Sequence, residues 1–420
     1  MNLINRILKQ VDENEDEGIG FLRSLVKIPT QVPPGENYDK ITKLIVSKLE
    51  GSGCEARQVI TPKDFVREHY PRGLQFPRVS ALGRLKGKKD KPSLIFSGHI
   101  DTVPVDQGWT VDPFCGEIID GSIWGRGASD NKGGVAAITM AVKAINDLGI
   151  KLNGDLIIAA TPDEEVGGRA GPGYLTDLGL LFGDFCMIAD GPMNYIGITG
   201  QGSFAWEVNT YGKATHSSIP WKGVNAIDGM ANIVLAIRDH AEVLHRRVTD
   251  IPAPSETGRD YIYPTVNTGI ISGGVKENMV PDKCSIRLYR RITPDENLEK
   301  ARQELIDVIE TAVQGIQGLT WDYDEIFCKV PWRVPGGADN DVVKQLELTA
   351  GEILGREVLS CGMTGASDAE HFYRHGISAC CLGPSSPGNN THGLDEHMPI
   401  KDLTKLTKIY ASMAVKILGA

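Results

Sequence analysis

Five short stretches carry side chains able to hold a divalent cation or move a proton. The first is Leu94-Ile95-Phe96-Ser97-Gly98-His99-Ile100-Asp101. Its apolar run reads as a buried strand that breaks at Ser97-Gly98 and delivers an imidazole and a carboxylate one residue apart. In the second, the glycine-rich turn Gly125-Arg126-Gly127 presents Asp130, and Lys132-Gly133-Gly134 opens a helix whose apolar face reads Val135, Ile138, Val142, Ile145. The third runs from Leu156 through Ala160 into Thr161-Pro162-Asp163-Glu164-Glu165-Val166-Gly167-Gly168. Two adjacent glutamates at the end of an apolar strand are costly to place unless something neutralises them. The fourth, Phe185 to Ala189, ends in Asp190-Gly191-Pro192, and the fifth is a loop, Gly383 to Gly388, that leads to His392. Neutral imidazoles and carboxylates on rigid strand ends suit a hard to borderline cation. The carboxyl ends of strands are also where open α/β sheets keep their sites. One such residue alone is ordinary loop surface, but three successive strands that finish in His or acids point to a metal site.

The elements that must position these residues alternate strand and helix, which implies a parallel sheet with helices on its faces. An amphipathic helix is expected over 18–30, ending at Ile28-Pro29, and a second from Ile41 to Leu49, stopped by Gly51 and Gly53. Residues 61–78 are irregular, proline-rich and mixed in charge, and read as a surface excursion. Helices follow at Lys132 to Leu148, Asp341 to Leu354, from Gly365-Ala366-Ser367-Asp368 onward, and at Lys401 to Leu418; Ile377 to Leu382 is a last buried strand. Between them the texture changes. Ser203 to Tyr211, Thr265 to Ile271, Cys284 to Ile292 and Leu319 to Ile326 read as strands, with helices at Asn225 to Asp239 and Asn297 to Val313. That is βαββαβ, a ferredoxin-like α+β domain inserted into the sheet domain. The expected division is 1–196 with 330–420, and 197–329.

The 420 residues allow two or three domains at about 150 residues each, and 41% hydrophobic with 23% charged residues is an ordinary globular balance. The net charge of −10 and the lack of any basic cluster argue against a nucleic-acid or anionic-membrane partner. The first residues turn acidic from Asp12 without an apolar core of signal-peptide length, and no run approaches the ~18 apolar residues of a span. Eight scattered cysteines without a C-x-x-C pair read as reduced core residues of a cytoplasmic protein. His371 and His375 are four apart, but no Glu follows His371 as a zincin helix requires. They read as ordinary helix residues, and His69, His240, His245 and His397 join no ligand cluster. Gly125 to Asp130 lacks the third glycine of a dinucleotide loop.

Taken together, His99-x-Asp101, Asp130-Asn131-Lys132-Gly133-Gly134, Glu164-Glu165, Asp190 and His392 resemble the acetylornithine deacetylase / succinyl-diaminopimelate desuccinylase family, which also includes carboxypeptidase- and dipeptidase-type members. The resemblance runs over nearly the whole chain. It implies a zinc-dependent exopeptidase-like sheet domain and two Zn2+ ions about 3–4 Å apart, with Co2+ or Mn2+ as substitutes. It makes Asp130 the bridging carboxylate, Glu165 and His392 ligands of one ion, and His99 and Asp190 ligands of the other. Asp101 would fix the tautomer of His99, and Glu164 would be the general base acting on a water shared by the metals. It also implies a cis Asp130–Asn131 peptide bond. Asp190 stands where many deacylase members carry Glu, which keeps the dipeptidase side of the family open.

In the insert, Gly212-Lys213-Ala214-Thr215-His216-Ser217-Ser218, Gly273 to Pro281 and Arg290-Arg291-Ile292-Thr293-Pro294 resemble the family's lid signatures. They imply a lid and dimerisation domain, with His216 reaching the active site of a partner subunit. Asn278 and Arg291 would contact substrate, Arg291 through the substrate's carboxylate, with Arg287 and Arg290 as rivals for that role. The expected activity is removal of the acyl group from an N-acyl amino acid. A dipeptidase or carboxypeptidase is the alternative, and a non-catalytic metal-binding dimer a more distant one.

Overall fold

The computed structural model describes residues 2–70, 75–365 and 367–420. The chain divides into two compact units. Met1–Ile198, Arg333–Cys361 and Ser367–Ala420 form the larger, and Thr199–Trp332 with Gly362–Ala366 the smaller.

The larger unit is organised on a nine-stranded mixed sheet. At its centre Asp155–Thr161, Ser93–His99, Phe185–Ile188 and Ser378–Cys381 lie side by side and parallel. The first two are buried along their whole length, as continuous apolar runs in a covered parallel sheet should be. Register does the rest: His99 pairs with Thr161, and Ser97 with Ile188, so the residues just beyond these strands emerge at one edge. On one flank Arg78–Leu85 and Glu55–Thr61 add antiparallel strands. On the other lie Ile196–Gly200 and Trp332–Arg333, with Ser360–Met363 paired to Ile196–Gly200.

Helix Lys132–Asp147 is buried over most of its surface, packed between the Ser93–His99 strand and the helix Ile400–Leu418. Its opening glycines have a steric reason. A Cβ on Gly134 would lie 1.9 Å from the carbonyl oxygen of Ala189, so only glycine lets the helix start touch the strand end that bears Asp190.

Three readings of the sequence need correction. The amino-terminal region is two helices, Leu3–Glu13 and Glu15–Val26, rather than one over 18–30. The cap is Asn2, whose side chain accepts from the Asn5 amide. Glu55–Thr61 is a strand. The excursion 61–78 contains the helix Lys63–His69 and ends in a fully buried Arg78, while 71–74 lie outside the described residues. Ala366, where a helix was expected to begin, also lies outside them; that helix is Ala369–Arg374.

In the smaller unit the strands Thr265–Gly273, Lys283–Ile292, Gly202–Tyr211 and Thr320–Lys329 form an antiparallel sheet in that order. Helices Ala226–His245 and Leu298–Val313 pack on it through Phe204, Trp206, Val208, Met230, Ile233, Leu305 and Ile309. The order of elements is βαββαβ, with one addition: Thr215–His216 pairs with Met279–Val280. No helix among the described residues is long and apolar enough to cross a membrane.

Candidate metal centre

The strand ends converge as their register requires. His99, Asp130 and Asp190 offer ligand atoms that all lie within 4.8 Å of one another, and so do Asp130, Glu165 and His392. Asp130 is common to both groups. Its Oδ1 lies 2.9 Å from His99 Nε2, and its Oδ2 lies 3.1 Å from His392 Nε2. His392 Nε2 is also 3.0 Å from Glu165 Oε1. The Asp130–Asn131 peptide bond is cis, as the resemblance implies. Among the described residues these are the two clusters with metal-ligating geometry. His371, His375, His69, His240, His245 and His397 belong to neither.

The charges of this cluster show what it lacks. Burial and the nearby charge of Asp130 push the Asp190 carboxyl up to about 6, and burial raises Glu165 as well. Burial works against ionised Asp130 too, but hydrogen bonds from His392 and His99 outweigh it and hold that carboxyl below the usual range. Hydrogen bonds to Asp130 and Glu165 lift His392 to about 10. Three carboxylates so close together repel one another unless protons or cations intervene. Two groups of oxygen and imidazole donors sharing one carboxylate match what paired divalent cations take.

Asp101 is fully buried and does two things. Its Oδ1 lies 3.5 Å from His99 Nδ1, the nitrogen away from the cluster. Its two oxygens also accept the backbone N–H of Glu164 (3.2 Å) and of Glu165 (3.0 Å). The same carboxylate thus orients one imidazole and the turn that carries both glutamates.

Sequence reasoning missed several supports. Asn131 donates to Ala189 O (2.6 Å) and Asp190 Oδ1 (3.3 Å), and its Oδ1 accepts the His99 amide (3.2 Å), tying three site segments together. Buried Glu396 accepts from Arg126 Nη1 (2.8 Å) and from the amides of Gly127 (3.1 Å), Ser129 (2.9 Å) and Asp130 (2.9 Å). It sits in Leu394-Asp395-Glu396-His397, a polar run that reads as surface, so no local signal marks it. His371 is a buried residue whose Nε2 lies 3.0 Å from Gly167 O, beside the glutamate turn. Lys132 is fully buried and donates to Ile28 O (2.8 Å).

The remaining expected site residues belong to the smaller unit. His216 is exposed, with Nδ1 2.8 Å from Ser218 Oγ. It faces Met279 across the short ribbon, and the Ser217 amide donates to Asn278 O (3.1 Å), so His216 and Asn278 are neighbours. Of the three arginines, Arg290 is fully buried and paired with Glu296 (2.6 Å), and Arg287 pairs with Glu207 (2.7 Å). Arg291 donates to Thr364 O (2.8 Å).

Comparison with known proteins agrees with this geometry. An N-formyl-4-amino-5-aminomethyl-2-methylpyrimidine deformylase of Halalkalibacterium halodurans is 26% identical over 432 residues, covering 97% of this chain and 96% of that protein. A succinyl-diaminopimelate desuccinylase of Rhodospirillum centenum is 29% identical over 410 residues, covering 94% and 96%. The crystal structure of a tripeptidase from Staphylococcus aureus superposes with a TM-score of 0.75 at 21% identity, covering 97% of this chain and 99% of that one, and so shares the fold. Residues 95–416 match the model of peptidase family M20/M25/M40, a span that takes in every candidate metal ligand described above. The chain therefore belongs to peptidase family M20/M25/M40 and is a metal-dependent hydrolase of amide bonds.

Proposed function

We propose that this enzyme removes the acyl group from an N-acyl amino acid. The observation that carries the reading is the pair of ligand groups joined at Asp130, beside a glutamate turn held by Asp101. His99 and Asp190 would hold one Zn2+, Glu165 and His392 the other, with Asp130 shared. When bound, the cations supply Lewis acidity toward the amide carbonyl and lower the pKa of water. The protein supplies the rest. Glu164 takes the proton of the attacking water and passes it to the leaving amine. Glu165 is committed to the cation cluster, so the two neighbouring carboxylates divide the tasks. Asp101 keeps the His99 ring and the Glu164 backbone in place.

His216 is the oxyanion donor in this reading, contributed by a second copy of the chain, with Asn278 beside it on substrate. Arg291 holds the substrate's carboxylate; the burial of Arg290 on Glu296 and the engagement of Arg287 with Glu207 support that choice. A homodimer through the smaller unit is supported by its edge strand Thr265–Gly273, where Ile270 and Ile271 are exposed. Cys54, Cys186, Cys284, Cys380 and Cys381 are buried thiols, which supports a reducing, cytoplasmic setting.

The names of two relatives covering nearly the whole chain, a deformylase and a desuccinylase, favour acyl removal; the tripeptidase fold keeps a peptidase as the second reading. A panel of N-formyl, N-acetyl and N-succinyl amino acids, the N-formyl aminomethylpyrimidine, and di- and tripeptides tests this on protein loaded with zinc, cobalt or manganese. Acyl amino acids turned over at least about tenfold better in kcat/KM than any peptide uphold the proposal. Preference for peptides overturns it in favour of the second reading. Cation binding without any turnover overturns both.

A further inference from the structure

The excursion 61–78 is tied at several points to the segment that follows the two glutamates. Thr61 Oγ1 donates to Ala170 O (2.7 Å), and the Tyr70 hydroxyl accepts the Arg169 amide (3.1 Å). The Phe65 ring lies 5.0 Å from that of Tyr174 and 5.2 Å from the Arg169 guanidinium. At its end comes a more specific contact. Arg78 Nε donates to Asp163 Oδ2 (2.8 Å) and the Tyr38 hydroxyl donates to Asp163 Oδ1 (3.0 Å), while the other guanidinium nitrogens donate to Phe76 O (2.7 Å) and Pro34 O (3.2 Å). Both charged side chains are fully buried. Gly35 passes so close that a Cβ there would lie 2.5 Å from the guanidinium.

A buried ion pair is a poor source of stability compared with apolar packing of the same volume. What it supplies is direction, and Asp163 is where direction matters. Its φ of 71° places it in the left-handed region, immediately before Glu164, a conformation that non-glycine residues adopt at a cost and hold only when their surroundings insist. On the far side of the same turn, Asp101 receives the amides of Glu164 and Glu165. We propose that Arg78, Asp163 and Tyr38 are positioning residues. Their buried cluster locks the turn that aims Glu164 and Glu165, and the contacts of Thr61, Phe65 and Tyr70 with 169–174 brace the segment that follows it. The inference rests on the roles given above to those glutamates. It does not depend on which amide is cleaved.

The test is Arg78→Met combined with Asp163→Asn, which removes both charges together, so neither stays buried alone, and keeps a residue that tolerates positive φ. The double variant should fold, by circular dichroism. In the metal-free protein its Glu164 and Glu165 amides should exchange about tenfold faster or more. It should lose cobalt from the Glu165 side, and its kcat should fall about 10–100-fold with KM within about threefold, as a misaimed catalytic group requires. Asp163→Asn alone, which leaves the Arg78 charge buried without its partner, should lose at least as much as the double variant. A folded double variant with wild-type exchange, cobalt binding and kcat overturns the proposal. If the double variant does not fold, Tyr38→Phe decides, since it deletes one hydroxyl: unchanged exchange and unchanged kcat overturn the proposal, and faster exchange with lower kcat upholds it. A wild-type protein that binds cobalt but hydrolyses nothing removes only the functional reading, because the exchange and cobalt measurements still judge the cluster.

Discussion

Replacing Glu396 by glutamine should loosen the loop that carries Asp130, although Glu396 itself is outside both ligand groups. Its Oε1 accepts the amides of Ser129 and Asp130, and its Oε2 accepts Arg126 Nη1 and the Gly127 amide. A glutamine keeps one acceptor oxygen and turns an NH2 toward the other two donors, whichever way it sits. Each buried donor left without a partner costs about 1–3 kcal/mol, so two cost about 2–6 kcal/mol before the weakened pairing of Arg126 is added. The middle of that range, about 4 kcal/mol, is the expected loss. That is a large share of the 5–15 kcal/mol that roughly spans domain stabilities. The variant should therefore fold with a loosened loop, whereas Glu396→Ala, which strands all four donors, should not fold.

Hydrogen exchange of the peptide 125–135, followed by mass spectrometry in metal-free protein, reads this directly. At about 1.4 kcal/mol per factor of ten, the loss predicts about 10³-fold faster exchange there, together with weaker binding of both cations. Exchange accelerated by less than about tenfold would refute the reasoning, because the carboxylate's hydrogen bonds would then not be what holds Asp130.

Asp130→Ala should abolish binding of both cations, whereas His392→Ala should mainly weaken one; a cobalt titration with two unaffected sites in Asp130→Ala rejects the shared ligand. Glu164→Ala should keep its cations and lose about 10²–10⁴ in kcat, while Glu165→Ala should lose a cation, and near-normal turnover in Glu164→Ala would move the base elsewhere. His216→Ala should keep its cations, form dimers and lose about 10²–10³ in kcat; mixing it with Glu164→Ala should restore activity, and mixed dimers that stay inactive show that His216 does not act across subunits. Burial pushes the Cys54 and Cys380 thiols up to about 12, leaving about 10⁻⁴ of each as thiolate at pH 8. Iodoacetamide at pH 8 should then modify only the half-buried Cys115 and Cys328 in folded protein, with reactivity of the buried thiols rising as pH climbs toward 12, and all eight in urea; rapid native labelling of Cys380 would contradict this.

The ligand-bearing strand ends were legible because the signal is local. An apolar run that stops in His99, in Glu164-Glu165 or in Asp190 declares both a buried strand and a charge that needs a partner, and register then brings those ends together. The βαββαβ order of the insert was legible for the same reason, since hydrophobic period changes within each segment. The amino-terminal helices were harder. Leu3, Ile7 and Val11 do recur on one face at helical spacing, but a helix this short draws most of its stability from tertiary contacts.

Other features were decided only by folding. Which arginine of Arg287, Arg290 and Arg291 is buried depends on where Glu207 and Glu296 lie, and no spacing along the chain encodes that. Glu396 and Arg126 are 270 positions apart, and Arg78 and Asp163 are 85 apart. In sequence each is a charged residue in a turn or at the end of a strand, for which solvent exposure is the ordinary expectation. Burying such a group is unfavourable until its partner arrives, so its place in the structure is a property of the pair. The ligands of a metal centre announce themselves as strand ends do, but the side chains that aim them are recognisable only once the fold has brought both members of each pair together.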